Sequence, residues 1–313
     1  MLVAHTPLPP PNFFGQGGCA LAIGNFDGVH GGHAVLLEQL VQLANLQQLP
    51  AVVLTFEPHP LALLKPELAP IPLTTLNRKI ELLAARGIAG VWAYPTTPDF
   101  LNLSAADFFQ RLVVEQLAAR VLVEGPNFYF GKDRFGDVRL LGQLCAAANI
   151  ELCVVPPQAV AGELISSTVV RNLLSRGDVA AARRLLTAPY QISGQVTLGA
   201  QRGTGLGFPT ANLTRIATLI PAAGVYAGLA KIGPQTLAAA IHIGPNPTFG
   251  ETRPKFEVHV LDWSGNLYDQ ELTVTFLCQL RGVRTFANVT ELRQQLQVDI
   301  ARTREAAATE LRG

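Results

Sequence analysis

The hydrophobic pattern of the chain changes its period near residue 187. Between Cys19 and Val155, short apolar runs alternate with longer segments in which Leu, Ala and Val recur every three or four residues. Between Gln191 and Leu277, short apolar runs follow one another without helical segments between them. The chain has 313 residues, and a single hydrophobic core rarely serves more than about 250 to 300. We therefore predict two domains, spanning residues 1–187 and 188–313.

The first domain is predicted to be an α/β domain with a Rossmann-like parallel sheet. Strands that are apolar on both faces and alternate with helices are typical of a parallel sheet covered on both sides. Ligands of such sheets bind at the carboxyl ends of the strands. The predicted strands are Ala20–Ile23, Ala51–Phe56, Gly90–Tyr94, Arg120–Glu124 and Ile150–Val155, and the predicted helices are Ala34–Leu46, Leu76–Ala85, Ala105–Ala118 and Val138–Ala148.

The second domain is predicted to be an antiparallel β-barrel. Closely spaced strands separated by turn residues, such as Gly233-Pro234 and Gly265-Asn266, are typical of that architecture. The last periodic segment, Val289–Leu311, predicts a terminal helix that closes one end of the barrel. The predicted strands are Gln191–Leu198, Phe208–Leu213, Val225–Ala230, Leu237–Ile243, Lys255–Leu261 and Glu271–Leu277.

Composition and charge exclude several classes of protein. Hydrophobic residues make up 49% of the chain and charged residues 15%, which is typical of a globular protein. The 24 Lys and Arg residues are balanced by 23 Asp and Glu residues, so we expect neither nucleic acid nor an anionic membrane as a partner. Apolar runs are all shorter than the roughly 20 residues that span a bilayer. The pattern does not decide whether the chain self-associates.

The cysteines and the N-terminal residues indicate a cytoplasmic protein. The four cysteines are widely spaced, without a C-x-x-C pair, which favours free thiols in a reducing compartment over a metal site or a disulfide framework. Residues 1–11 contain no basic region and are broken by prolines, so they do not resemble a secretory signal. The cysteines are Cys19, Cys145, Cys153 and Cys278.

A glycine-rich turn with two histidines follows the first predicted strand. Gly24 and Gly28 have no Cβ and let the backbone approach a ligand closely. The helix that follows presents unpaired N–H groups and the positive end of its dipole, which suit a phosphate. His30 and His33 lie at this helix start, so we predict that both imidazoles face the same anion.

Three more polar motifs accompany this turn. T-F-E-P-H-P at Thr55–Pro60 follows the second strand, E-G-P-N-F-Y-F-G at Glu124–Gly131 follows the fourth, and I-S-S-T-V-V-R at Ile165–Arg171 begins a helix. Adenylyl transfer needs an α-phosphorus held in line with the attacking oxygen and compensation of the charge on the phosphate oxygens. The two histidines would supply hydrogen bonds to those oxygens, and Arg171 with the hydroxyls of Ser166, Ser167 and Thr168 would hold the β- and γ-phosphates.

Each motif has a simpler interpretation when it is taken alone. H-x-x-H occurs on helix surfaces and in metal sites, where Asp27 and His59 would be the additional zinc ligands. The serines and threonine of I-S-S-T would then only cap a helix. The conjunction of four motifs at strand ends and helix starts of one parallel sheet favours a ligand site.

These motifs, in this order, resemble the prokaryotic bifunctional riboflavin kinase and FMN adenylyltransferase family, also called FAD synthetases. The resemblance runs from about Cys19 to the C-terminus. It implies that the first domain is a nucleotidyltransferase that joins FMN and ATP into FAD and pyrophosphate with Mg²⁺. Under this resemblance His30, His33 and Arg171 are catalytic, and the nucleotide and flavin site includes Gly24, Phe26, Asp27, Gly28, His59, Asn127, Ser166, Ser167 and Thr168.

The second domain contains a motif suited to Mg²⁺ and a carboxylate in a strand. G-L-G-F-P-T-A-N at Gly205–Asn212 presents the hard oxygens of Thr210 and Asn212, although a simple β-turn has the same composition. In Lys255–Leu261, the residues Phe256, Val258 and Val260 share one face and Glu257, His259 and Leu261 the other. Glu257 is therefore either a paired or catalytic carboxylate in the barrel or a solvated residue on its outer face.

P-T-A-N, G-V-Y-A at Gly224–Ala227, G-P-N-P-T-F-G at Gly244–Gly250 and E-V-H at Glu257–His259 resemble the riboflavin kinase module of the same family. The resemblance implies a six-stranded barrel that phosphorylates the ribityl 5′-hydroxyl of riboflavin. Glu257 would orient that hydroxyl and accept its proton late in the transfer. The ATP site would include Gly205, Gly207, Pro209, Thr210 and Asn212, with Thr210 and Asn212 holding Mg²⁺.

The chain departs from the family pattern at three places. Thr204 follows Gly203 where the family usually has Arg, Asp269 follows Tyr268 where it usually has Gly, and Asn127 stands where many members have Asp. Thr204 motivates a second hypothesis, an FMN adenylyltransferase whose barrel binds flavin with little or no kinase activity. A third hypothesis is a flavin-binding regulator without catalysis.

Overall fold

The computed structural model describes residues 1–10, 13–157, 159–160, 163–199, 207–246, 248 and 252–312. The chain forms two units, the first made of Met1–Ile71 with Leu76–Ser166 and the second of Pro72–Thr75 with Ser167–Gly313. The helices α7 (Ser167–Ser175) and α8 (Val179–Leu185) belong to the second unit because their buried residues are part of its hydrophobic core. The division into two functional domains between residues 187 and 188 stays a prediction.

A six-stranded parallel sheet forms the centre of the first unit, as the alternating pattern predicted. The strand order is β1-β4-β3-β2-β5-β6, and every neighbouring pair is parallel. From β2 the chain continues to β3 and β4 on one side of β2, and it then returns to form β5 and β6 on the other side. The strand order therefore reverses between β2 and β5. The strands are β1 (Leu2–Ala4), β2 (Cys19–Ile23), β3 (Ala51–Glu57), β4 (Gly90–Pro95), β5 (Ala119–Glu124) and β6 (Glu151–Val154).

The helices of the first unit match the predicted segments, with short additions after strands. The predicted helix over residues 105–118 is a short α-helix continued by a π-helical segment, Phe109–Gln116. Two short 3₁₀ turns, Pro66–Leu68 and Lys132–Arg134, and a β7–β8 hairpin (Ala159–Val160 and Glu163–Leu164) were not predicted. The α-helices are α1 (Gly31–Leu46), α2 (Pro60–Leu64), α3 (Leu76–Ala84), α4 (Pro98–Leu101), α5 (Ala105–Phe108) and α6 (Val138–Ala147).

The second unit is a closed antiparallel barrel, as predicted. Its strands are hydrogen-bonded in the order β10-β13-β12-β11-β14-β9, and β9 pairs again with β10. Side chains alternate between the interior and the outer face, so Phe256, Val258 and Val260 lie in the interior core. The strands are β9 (Gln191–Thr197), β10 (Ala211–Thr214), β11 (Gly224–Ile232), β12 (Gln235–Gly244), β13 (Lys255–Val260) and β14 (Glu271–Arg281).

The terminal helix α9 (Val289–Arg312) lies along the outer face of the barrel, rather than across one end as expected. Ala307 packs against Leu229 of β11 and Leu277 of β14. β11 is consequently buried on both faces, since its inward residues such as Tyr226 lie in the barrel core. The helix covers the face of the sheet that would otherwise expose these apolar side chains.

Two further features concern the chain as a whole. All four cysteines are free thiols. Within the described ranges, the helices are too short or too polar to cross a lipid bilayer.

Candidate active sites

The turn after β2 places two histidines at the start of α1, where the strand order of the sheet reverses. The N–H of Gly24 donates to the Leu54 carbonyl at 3.0 Å, which keeps the turn against β3. Gly28 has a φ of +80°, a conformation that glycine adopts without steric cost. His30 caps the helix, because its Nδ1 accepts a hydrogen bond from the His33 N–H at 3.3 Å.

The rings of His30 and His33 are stacked against each other. Their centroids are 3.7 Å apart with an interplanar angle of 16°, and the Phe26 ring lies 5.1 Å from His33 on centroids. Burial, followed by the charges of His30 and Lys79, lowers the pKa of His33 well below its usual value. Its Nδ1 is buried, and among the described residues it has no hydrogen-bond partner. His33 is therefore a neutral imidazole with unused capacity for a ligand.

A buried lysine lies beside this pair and was not predicted from the sequence. Lys79 on α3 is 5% exposed and donates to the hydroxyl of Thr55 at 3.3 Å. Burial lowers the pKa of Lys79, while the carboxylates of Asp27 and Glu57 oppose that shift. The sequence carries a weak signal for it: Lys79 lies three and four residues before Leu82 and Leu83, on the apolar face of its helix.

His59 is fixed at the end of β3. Its Nδ1 accepts from the Leu61 N–H at 3.1 Å and caps α2, so the ring proton lies on Nε2. The amide nitrogen Nδ2 of Asn25 lies 3.0 Å from Nε2, and the amide oxygen is buried without a partner among the described residues. Because Nε2 carries the proton, we exchange the two amide atoms and assign the oxygen as the acceptor. The contact joins the T-F-E-P-H-P motif to the turn that carries Phe26 and Asp27.

At the end of β5, Glu124 is buried and ties this strand to β2. Its Oε1 accepts from the Ile23 N–H at 2.6 Å. Burial raises the pKa of the Glu124 carboxyl well above its usual value, against the opposing effect of this hydrogen bond. Asn127 follows in the loop and is exposed, so its side chain is accessible to a ligand.

The I-S-S-T segment passes close to the start of α1. A Cβ added at Gly32 would lie 3.2 Å from the Ile165 carbonyl oxygen, so the backbone just before Ser166 passes within contact distance of this glycine. Ser166 ends the first unit, whereas Ser167, Thr168 and Arg171 begin α7 in the second. The participation of these three side chains at the histidine site stays a prediction.

In the second unit, a pocket lies between the outer face of the barrel and α9. Thr210, Glu257 and His259 line it from the strands, and Leu296 and Ile300 line it from the helix. Glu257 thus lies on the outer face, but under the helix rather than in open solvent. Its Oε2 accepts from the Asn246 amide at 3.0 Å. The His259 Nδ1 lies 2.7 Å from the Pro209 carbonyl oxygen and anchors the P-T-A-N segment.

Asn212 lies directly opposite Glu257 in the β10–β13 pair. Directly opposed residues share a face of the sheet, so the predicted magnesium ligand and the predicted base are neighbours. Thr210 is two residues from Asn212, on the same side of an extended chain. Their hydroxyl and amide oxygens are the hard ligands that Mg²⁺ accepts together with phosphate and water. The described residues contain no cluster of three or more His, Cys, Asp or Glu placed to hold a metal ion.

The remaining predicted positions have different outcomes. Gly205 and Thr204 lie outside the described residues, while Gly207, two residues before Pro209, has a φ of +88°. Asp269 has a φ of +62°, a left-handed conformation in which glycine is the least strained residue. This backbone conformation explains why the family usually has glycine after the tyrosine. Asp adopts the left-handed conformation more readily than most other residues.

The two folds and their sites define the class of protein. The parallel-sheet unit has two stacked histidines at a helix N-terminus, a position that suits an anion. The barrel unit has a carboxylate beside side chains with hard oxygen atoms, in a largely apolar pocket. Such an arrangement is typical of an enzyme with two sites for phosphorylated ligands.

Comparison with known proteins identifies the family. A family model described as FAD synthetase matches residues 15–169, and one described as riboflavin kinase matches residues 186–307. A bifunctional riboflavin kinase/FMN adenylyltransferase of Escherichia coli K12 is 37% identical over 291 residues, covering 93% of each chain. The protein of that description from Pseudomonas fluorescens is 38% identical over 294 residues, covering 93% of this chain and 94% of its own. The chain belongs to the bifunctional riboflavin kinase/FMN adenylyltransferase family.

A solved structure has the same fold over nearly the whole chain. It is described as a macrolide-efflux protein from Streptococcus pneumoniae, is 29% identical, and superposes with a TM-score of 0.81. The match covers 96% of this chain and 98% of that one.

Proposed function

We propose that each unit carries one of two consecutive reactions of flavin cofactor synthesis. The chain is a riboflavin kinase and an FMN adenylyltransferase. We assign adenylyl transfer to the histidine site of the first unit and phosphorylation of riboflavin to the barrel pocket. The stacked His30 and His33 at the helix start, where the strand order reverses, are the observation that carries the first assignment.

In the adenylyl transfer, a phosphate oxygen of FMN attacks the α-phosphorus of ATP, the bond to the bridging oxygen breaks, and pyrophosphate leaves. Charge accumulates on the α-phosphate oxygens as this happens. The imidazoles of His30 and His33, with the dipole of α1, would stabilise that charge through hydrogen bonds. Ser166, Ser167, Thr168 and Arg171 are proposed to hold the departing phosphates.

In the kinase reaction, the ribityl 5′-hydroxyl of riboflavin attacks the γ-phosphorus of ATP, the bond from that phosphorus to the bridging oxygen breaks, and ADP leaves. Glu257 would orient this hydroxyl and accept its proton, and the Asn246 amide holds the carboxylate in place. Thr210 and Asn212 would hold Mg²⁺, which would offset the charge of the ATP phosphates. The placement of Glu257 beside Asn212 supports a catalytic barrel over one that only binds flavin.

The substrates of the chain are ATP, riboflavin and FMN under this proposal, with Mg²⁺ as the metal. We also propose a cytoplasmic location, which the four free thiols support, because such thiols persist in a reducing compartment.

Separate variants test the two assignments. His33→Ala should lower FAD formation from FMN by about 10²- to 10³-fold and leave FMN formation from riboflavin nearly unchanged, since it removes one donor to the developing charge. Glu257→Ala should do the reverse. Chromatography of products from riboflavin or from FMN, each with Mg²⁺ and ATP, measures both rates.

The assignment fails if either substitution abolishes both reactions in a folded protein. Failure of the unaltered chain to phosphorylate riboflavin would leave the barrel as a flavin-binding module. Circular dichroism of each variant separates loss of chemistry from loss of folding.

A further inference from the structure

His242 belongs to a row of side chains that crosses the outer face of the barrel. It lies directly opposite Glu257 in the β12–β13 pair and opposite Val225 in the β11–β12 pair. Asn212 precedes Glu257 in the same row, and Arg281 follows Val225. Opposed residues share a face, so His242 stands next to the proposed base. It lines the pocket under α9.

The hydrogen bonds of His242 leave one ring nitrogen unused. Its Nε2 is buried and has no partner within the described part of the chain, while hydrogen bonding to the backbone of Pro245 and Gly244 raises the pKa of the ring. The nitrogen that bonds to this backbone is therefore Nδ1, which carries the proton as a donor to a carbonyl. Nε2 is left as an acceptor.

The protonation state of this ring agrees with that pattern. Burial lowers the pKa of His242, and the charge of Arg281 also lowers it, whereas Glu257 and the backbone hydrogen bonds oppose the shift. The ring is thus neutral near pH 7, with a lone pair on Nε2. A buried acceptor without a partner is costly, so the site favours a ligand that brings a donor to it.

Glu257 and His242 present two hydrogen-bond acceptors side by side. The Glu257 Oε2 is already held by the Asn246 amide, so this carboxylate is fixed in orientation. A ligand that satisfies both groups needs two neighbouring donors. Vicinal hydroxyls of a polyol chain provide them, whereas an isolated alcohol satisfies only one.

We propose that His242 is a substrate-positioning residue of the kinase site, whose Nε2 accepts a hydrogen bond from a ribityl hydroxyl next to the 5′-hydroxyl. This contact aligns the 5′-hydroxyl with Glu257 and selects flavins with a hydroxylated side chain. The inference rests on the proposed phosphorylation of riboflavin in the barrel pocket.

The test compares two substrates in three proteins. Riboflavin and a flavin with an unbranched 5-hydroxypentyl side chain are phosphorylated by the unaltered chain, by His242→Ala and by His242→Gln. For riboflavin, the alanine variant should lose about 10- to 100-fold in kcat/KM, because one buried hydrogen bond is removed. For the hydroxypentyl flavin, the alanine variant and the unaltered chain should agree within about threefold. Glutamine keeps an acceptor and should recover part of the loss on riboflavin only.

Equal losses on both flavins, or no loss on riboflavin, overturn the proposal. FAD formation from FMN reports on the first unit and should be the same in all three proteins. If the alanine variant does not fold, the glutamine variant and the unaltered chain provide the test. Equal kcat/KM values for riboflavin and the hydroxypentyl flavin in the unaltered chain would reject the contact. Absence of riboflavin phosphorylation in the unaltered chain would instead reject the function on which the proposal rests. Thr236→Ala, at the exposed end of the same strand, is the matched control.

Discussion

At the scale of single residues, burial lowers the pKa of three basic groups at the proposed sites, His33, Lys79 and His242. His33 and His242 are both held neutral mainly by desolvation. Lys79 is buried beside carboxylates that keep its charge compensated. Each site therefore combines neutral imidazoles with carboxylates or a cation whose positions are fixed by hydrogen bonds.

The buried Glu124 should make the stability of the protein depend on pH. Its pKa in the folded protein lies well above the usual 4.5, so the folded chain keeps a proton that the unfolded chain has already released. The unfolding free energy therefore falls as the pH rises from about 4.5 through the folded-state pKa. Glu124→Gln removes this effect. The variant should gain stability over the unaltered chain by about 1.4 kcal/mol for each pH unit in that window.

Urea unfolding at several pH values between 4 and 8 measures this difference. The two proteins should be closest in stability near pH 4, where both carry a neutral side chain at this position. A difference that stays constant over the range would show that Glu124 is ionised in the folded protein. Glu67→Gln, at an exposed position, is the control.

The sequence indicated some residues of the proposed sites and not others, for a physical reason. His30, His33 and Glu257 lie in motifs whose local pattern already indicates chemistry. Lys79 and His242 have neighbours that are distant in sequence, such as Asp27 for Lys79 and Glu257 for His242. The register of strands and the packing of helices create these neighbours, and no single-sequence period encodes them.

At the scale of elements, the sequence predicted the barrel strands and the terminal helix but not the surface that α9 covers. A terminal helix can pack across the end or along the side of a barrel with the same period. The helix packs along the side because β11 has apolar residues on its outer face, such as Val225 and Leu229. The strand β1 was missed because three residues before a proline-rich stretch carry too little pattern.

A buried ion pair fastens α9 to β14. Asp299 is 1% exposed and accepts from Arg281 at 2.9 Å. Asp299→Ala leaves the Arg281 guanidinium without its partner, which typically costs about 3 to 5 kcal/mol. Because α9 forms one wall of the pocket, riboflavin phosphorylation should fall as well. FAD formation from FMN should continue.

Urea unfolding and the product assay measure both effects. Asp262→Ala is the matched control, since Asp262 pairs with Arg304 of the same helix but both side chains are largely exposed. An ion pair between exposed side chains is screened by solvent and contributes little, so this variant should keep its stability and both activities. Similar losses in the two variants would show that burial of the Arg281 pair is not what secures the helix.

At the scale of the whole molecule, the chain carries two reactions, and the side chains that we propose for them come from different units. The two stacked histidines lie at the start of α1 in the first unit, while Glu257 belongs to β13 of the second. FMN is the product of one reaction and the substrate of the other. Each single variant, His33→Ala or Glu257→Ala, leaves the other site complete.

We therefore expect an equimolar mixture of His33→Ala and Glu257→Ala to form FAD from riboflavin, although neither variant forms it efficiently alone. The Glu257 variant should use FMN that the His33 variant releases, so FAD should appear after a lag that shortens when FMN is added. A time course by chromatography measures this lag. If the mixture forms no FAD while Glu257→Ala still converts added FMN, the intermediate does not leave the chain that made it, and the two sites act as one compartment.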